Sequence, residues 1–235
     1  MGPSGSNRAG SQCSHLIAID SLLRKQGRLS ALICACPVEP VACGQLPTAP
    51  MTQSIARGPA GRAVAQPMPP DLLGALQEHL TMERQASAAY WALAIWFAER
   101  GLRGFSSFLK QESSEEQHHA GLFADYLIAR GQAVALEPLA APRQSWTSVE
   151  EVFQGIFQME AEVTTSLHQL YAMAERSGDV RTTVFLDPLV QSQIDSENQA
   201  AHLLDRISFS HSDPAALLVI DGELTAGQSA PASVA

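Results

Sequence analysis

Between Pro70 and Ile207 the chain runs through four long stretches in which apolar residues recur at three and four, and only the last has a proline in its interior. That spacing places side chains on one face of an α-helix, and helices this long bury such faces against each other. Pro70-Asp71 opens the first stretch, whose predicted apolar face is Leu72, Leu73, Leu76, Leu80, Ala88, Ala92, Ile95 and Trp96; Gly101 closes it. The second runs from about Arg103 to Arg130 on Phe105, Phe108, Leu109, Leu122, Phe123 and Tyr126, and Gly131 ends it. A capping signal, Thr147-Ser148-Val149-Glu150-Glu151, starts the third, which continues to Arg176. Ser177-Gly178-Asp179 is a tight connection to the fourth, where Pro188 is expected to kink the helix or break its first third.

The connections decide the topology. About 15 residues containing Pro138 and Pro142 separate the second and third helices, too many for a hairpin between neighbours. The predicted fold is all-α: two hairpins of long helices joined by one long crossover, a four-helix bundle with a short fifth helix at Pro214–Leu224 capped by Ser212 or Asp213. The domain spans 71–226, and 227–235 is a flexible tail. Residues 1–70 are rich in Gly, Pro, Ser and Ala and read as an extension, whether disordered, a targeting peptide, or sequence upstream of a true start at Met51. All four cysteines (Cys13, Cys34, Cys36, Cys43) lie there, so the bundle has no disulfide, and the Cys34-Ala-Cys36 spacing does not match a zinc site.

Residues 51–235 hold 11 basic and 22 acidic groups, an excess that disfavours nucleic acid, whose phosphates need Lys and Arg, and suits a cation. No apolar run reaches the roughly 18 residues that would span a bilayer. A soluble, cytoplasmic protein without membrane or nucleic-acid partners is expected.

The informative acids are those that fall where the bundle's centre should be. Glu83 sits with Leu76, Leu80, Ser87 and Tyr90; Glu116 and His119 form a Glu-x-x-His pair; Glu160 lies among Phe153, Ile156, Phe157 and Val163; Gln193 and Glu197 are one turn apart. At the helical rise, Glu83 and Glu116 differ in level by about 6 Å and Glu160 and Glu197 by about 2 Å. Each acid taken alone could face solvent or pair with Arg84 or Lys110. A buried layer of four would demand cations, because an unpaired buried carboxylate costs several kcal/mol. Oxygen donors with one imidazole suit iron or manganese rather than structural zinc.

Thr81-Met82-Glu83 through Tyr90, Glu115-Glu116-Gln117-His118-His119-Ala120, Met159-Glu160, and Gln193 with Glu197 resemble the ferroxidase motifs of ferritins. The likeness covers 71–226 and is to cyanobacterial-type bacterial non-heme ferritins, through Ala141-Pro142-Arg143-Gln144, Phe185-Leu186-Asp187-Pro188-Leu189 and Leu217-Leu218-Val219-Ile220-Asp221. The resemblance implies a diiron centre with Glu83, Glu116 and His119 on one iron, and Glu116 bridging to a second held by Glu160 and Glu197. Gln193 would orient a water or oxygen, Tyr90 would donate an electron, and Glu112 and Glu115 would serve a third iron site. Gln191 stands where the resemblance implies an acid on the fourth helix's side of that third site.

A second Glu-x-x-His, found in heme-containing bacterioferritins, is absent: Ala200 follows Glu197 at three, and His202 faces elsewhere. No heme is therefore expected, and Met82 and Met159 are read as core. Trp91 and Trp96 are read as packing residues and His118 as surface. The implied activity is oxidation of Fe(II) by oxygen, with iron stored as mineral in a homo-oligomeric cage of twenty-four subunits. The alternatives are a mineral-nucleating cage subunit without efficient catalysis and a diiron oxygenase or peroxidase acting on another substrate.

Overall fold

A computed structural model describes residues 56–59 and 61–227; Met51 as a start and the readings of residues 1–50 lie outside the described residues. The elements run β1 (Ala56–Arg57), β2 (Ala63–Val64), α1 (Pro70–Ala98), α2 (Arg103–Ala129), α3 (Val149–Ser177), α4 (Val180–Phe209) and α5 (Pro214–Thr225). The two strands pair antiparallel, Ala56 with Val64 and Arg57 with Ala63. Residues 56–59 and 61–69, which composition assigns to the extension, pack against the bundle's end: Arg62 donates to the Ile128 carbonyl, Arg181 donates to the Gln66 carbonyl, and Met68 is buried.

Local chemistry explains the helix ends. Pro70 occupies the first helical position of α1, where its missing N–H breaks no intrahelical bond. The Ser148 hydroxyl accepts from the Glu151 amide at the start of α3, and Gly178, at φ 67°, ends α3 in the left-handed region that glycine enters without strain. Asp179 caps α4 and is gripped at both carboxylate oxygens by Arg130, at 3.0 and 2.7 Å. This buried bidentate pair ties the end of α2 to the α3–α4 turn.

α1 packs along α2, α3 along α4, and α5 against α2. At the last interface the Phe105 amide donates to Asp221, and an added Cβ at Gly104 would stand 1.8 Å from the Asp221 carbonyl oxygen, so the close approach needs glycine. The crossover, residues 130–148, contains no helix. It is tethered along α1: Gln77 accepts from Ala135, Arg84 donates to the Glu137 carbonyl, and Gln85 and Ala140 exchange two hydrogen bonds. Arg84 is thereby engaged away from the buried acids. No described helix is long and apolar enough to cross a membrane.

Two findings bear on the expectations. Of the kink or break expected at Pro188, the break does not occur: α4 continues through it. Pro188 and Val184, whose carbonyl loses its helical partner, both lie on the exposed face, where water can replace the lost bond. In α1 the core face beyond Leu80 is Ala86, Tyr90, Leu93, Ala94, Trp96 and Phe97, whereas Ala88, Ala92 and Ile95 turn outward and line a surface groove with Trp91. Trp91 is 52% exposed and so is not a packing residue of this chain; Trp96 is buried, with the Arg100 guanidinium 3.8 Å above its ring.

The core has two halves. One contains Tyr90, Phe97, Phe105, Leu109, Phe153, Ile156 and Leu203, and the other Leu72, Leu76, Leu80, Phe123, Leu127, Leu167 and Leu186. In α1, α2, α3 and α4 the sequence passes from one half to the other across Glu83, Glu116, Glu160 and Gln193, all buried. A polar layer crosses the waist of the bundle.

Candidate metal centre

The helical period that aligns the apolar faces also delivers the polar layer. Glu83 falls between Leu80 and Ala86 on the inner face of α1, and Glu116 and His119 are one turn apart on α2, the helix packed along it. Glu83, Glu116 and His119 each offer one ligand atom, and these lie within 4.8 Å of one another. His119 Nδ1 is 3.1 Å from Glu116 Oε2. Glu160, from α3, accepts from the Tyr90 hydroxyl and from Gln193 Nε2 at 2.8 Å, and Gln193 also reaches the Glu160 carbonyl at 3.3 Å. Four helices thus contribute to one network.

Its electrostatics are those of acids without enough base. Burial raises the Glu83 carboxyl above its ordinary range, and raises Glu160, which also feels the negative charge of Glu116. Burial pushes Glu116 up to about 7 even though His119 works against the shift. The His119 imidazole is raised by its hydrogen bond to Glu116. Burial holds the Tyr90 phenol well above its usual range, and the Glu160 carboxylate adds to this. Among the described residues, the basic side chains within 4 Å of these three carboxylates are histidines alone, His79 beside Glu83 and His119 beside Glu116. The layer therefore holds its protons more tightly than exposed carboxyls do.

The other residues singled out in the sequence are placed as follows. Glu112 lines a void of about 10 Å³ with Tyr90, Phe108 and Ser196, and burial, then the Glu115 charge, push it up to about 8. Glu115 is exposed and accepts from Gln111, and Gln191 and His118 are exposed. Glu197 is half-buried and accepts from the Thr164 hydroxyl at 3.0 Å, lining a groove with His168 and Ile194. On this turn of α4 it is Ser196 that faces the Tyr90 side.

One buried residue escaped the sequence reading. His79, fully buried on α1, has Nδ1 2.7 Å from Ser166 Oγ and Nε2 2.9 Å from Glu83 Oε1. Burial lowers its imidazole to about 4, so it stands neutral near pH 7. The available signal was its position, one turn before Glu83 on the same face.

The fold and this network define a class: a four-helix bundle with a carboxylate and histidine group at its waist that could hold a metal ion. The Ferritin-like domain family matches residues 73–210, and the chain belongs to that family. Among its relatives, a bacterial non-heme ferritin of Bacteroides fragilis is 29% identical over 153 residues, which cover 65% of this chain and 95% of the relative. One from Staphylococcus epidermidis is 28% identical over 156 residues, 66% of this chain and 94% of the relative. An open pore ferritin from the hyperthermophilic archaeon Archaeoglobus fulgidus superposes with a TM-score of 0.66 at 29% identity, covering 68% of this chain and 98% of its own.

Proposed function

We propose that the chain is a cytoplasmic ferritin subunit that binds Fe(II) at the waist of the bundle, oxidises it with oxygen, and stores the product as mineral inside a homo-oligomeric cage. The observation that carries this reading is the meeting of Glu83, Glu116 and His119 donor atoms within 4.8 Å in a layer that has no Lys or Arg partner among the described residues. Hard carboxylate oxygens with one imidazole match ferrous iron, and the protons held by the acids leave as the cation enters. Glu83, Glu116 and His119 would hold one ion, and Glu116 with Glu160 a second. Glu197 would have to leave Thr164 to join that second site, and Glu112 with Glu115 would serve any third.

The ferrous ions are the substrate: two of them give oxygen two electrons, which with two protons makes hydrogen peroxide. The chain's part is geometry and proton handling. Gln193 fixes one oxygen of Glu160, the Tyr90 hydroxyl fixes the other, and the apolar halves above and below exclude bulk water. The void beside Tyr90, about 10 Å³, has room for one small molecule such as water, which argues against an oxygenase acting on an organic substrate. A subunit that only nucleates mineral would have no use for the buried Glu83, Glu116 and Glu160 beside the half-buried His119.

Anaerobic Fe(II) titration followed by an oxygen pulse tests the reading. The expected result is saturation at two ions per chain and oxidation far faster than in buffer. Binding of less than one ion per chain, or oxidation at the buffer rate, would refute it. Tyr90→Phe should leave binding and the first oxidation intact but slow repeated turnover, because only the phenol can yield an electron with its O–H proton. Identical multi-turnover traces and identical electron paramagnetic resonance spectra would reduce Tyr90 to a packing residue.

A further inference from the structure

His79 sits below the metal centre, on the side of Phe123, whose ring centroid lies 4.5 Å from its own. A buried imidazole in such surroundings is expensive unless both ring nitrogens have work. Nδ1 has it, at 2.7 Å from the Ser166 hydroxyl. Nε2 lies 2.9 Å from Glu83 Oε1 but off line, so the contact is close without being an aligned hydrogen bond, and Nε2 has no other partner. Glu83 Oε2, equally buried, has no N–H or hydroxyl donor among the described residues.

We propose that His79 is a positioning residue for the metal centre, holding Glu83 through Oε1 so that Oε2 is presented to the bound cation. The inference rests on the metal-centre reading above. The tautomer follows from chemistry: with a cation bound, Glu83 is a carboxylate, and an Nε2 lone pair held 2.9 Å from its Oε1 would repel it, whereas an N–H there attracts it. With the Ser166 O–H donating to Nδ1, the proton sits on Nε2, where it attracts Glu83. His79 acts through Glu83 rather than as a ligand, because the compact donor group is Glu83, Glu116 and His119 without it. Outer partners of this kind orient ligating carboxylates and set affinity. α1 thereby places donor and ligand one turn apart, while α3 supplies the hydroxyl that fixes the ring.

Co(II) binding to the full chain, followed by its visible spectrum and by calorimetry, tests this without any turnover. His79→Leu should weaken the tightest Co(II) site by about 10–100-fold. His79→Gln, whose amide N–H can still reach Glu83, should stay close to wild type. Ser166→Ala, which frees the ring's tautomer, should weaken binding several-fold. Wild-type affinity in His79→Leu, or a His79→Gln variant that is folded and as weak as His79→Leu, would overturn the positioning role. Wild-type affinity in Ser166→Ala would overturn the tautomer assignment on which that role depends. A wild-type chain that binds no Co(II) would remove the metal-centre reading and this inference together, whereas tight wild-type binding with no effect of His79→Leu would remove this inference alone.

Discussion

Glu116→Ala should lower the rate of oxygen-dependent Fe(II) oxidation by about a hundredfold or more, on the order of 3 kcal/mol of lost transition-state stabilisation. Glu116 is the carboxylate common to every part of the site: it lies beside Glu83, is hydrogen-bonded by His119, and raises the pKa of Glu160 by its charge. In the proposed site its removal would take a donor from the first ion and the bridge to the second, so binding and oxidation should fail together. The variant should still fold, because a desolvated acid is lost and not a packing group. His119→Ala should do nearly as much, leaving the first ion with oxygen donors only. Stopped-flow absorbance that shows wild-type rates in both variants, each folded by circular dichroism, would discard the site.

The metal-free protein should lose stability as the pH rises from about 6.5 to 8.5, by an amount on the order of a few kcal/mol. The ordinary carboxyl value is 4.5, whereas Glu116 stands at about 7 and Glu112 at about 8 in the fold. Over the interval between, the folded chain keeps protons that the unfolded chain has released, so folding is favoured at low pH and the advantage drains away as each folded value is passed. Glu83, Glu160 and His119 are also raised and act in the same direction. His79, lowered to about 4, acts oppositely, but only below its unfolded value of 6.5, which is why the clean window opens there. Thermal melts across this range should show a falling midpoint that Co(II) restores and that Glu116→Gln flattens. A midpoint that stays level or rises with pH would show that the carboxylate layer is not desolvated.

Much of this architecture is legible in the residues because it is local. Gly101, Gly131 and Gly178 all take positive φ where helices end, Ser148 and Asp179 make side-chain caps, and the long Pro-containing connection carries the chain between the two hairpins. The Glu116 and His119 pair needs only the helical period to share a face. Glu83 and Glu160 follow from their place within apolar stripes, and the level calculation brings the helices' polar positions to one height.

Tertiary packing decided the rest. Beyond Leu80, α1 carries two apolar stripes, one through Ala88, Trp91, Ala92 and Ile95 and one through Ala86, Tyr90, Leu93 and Phe97; only the neighbours α2 and α3 determine that the second enters the core. On α4, Ser196 and Glu197 are adjacent residues about 100° apart around the helix, and the rotation of α4 against α3 sends Glu197 to Thr164 and Ser196 toward Tyr90. The His79 partnership is hidden for the same reason, since Ser166 lies 87 positions away and on another helix. A sequence with a helical period states which side chains share a face; the rotation of that face about its axis is set by the side chains of other helices, far along the chain, competing to fill the same space.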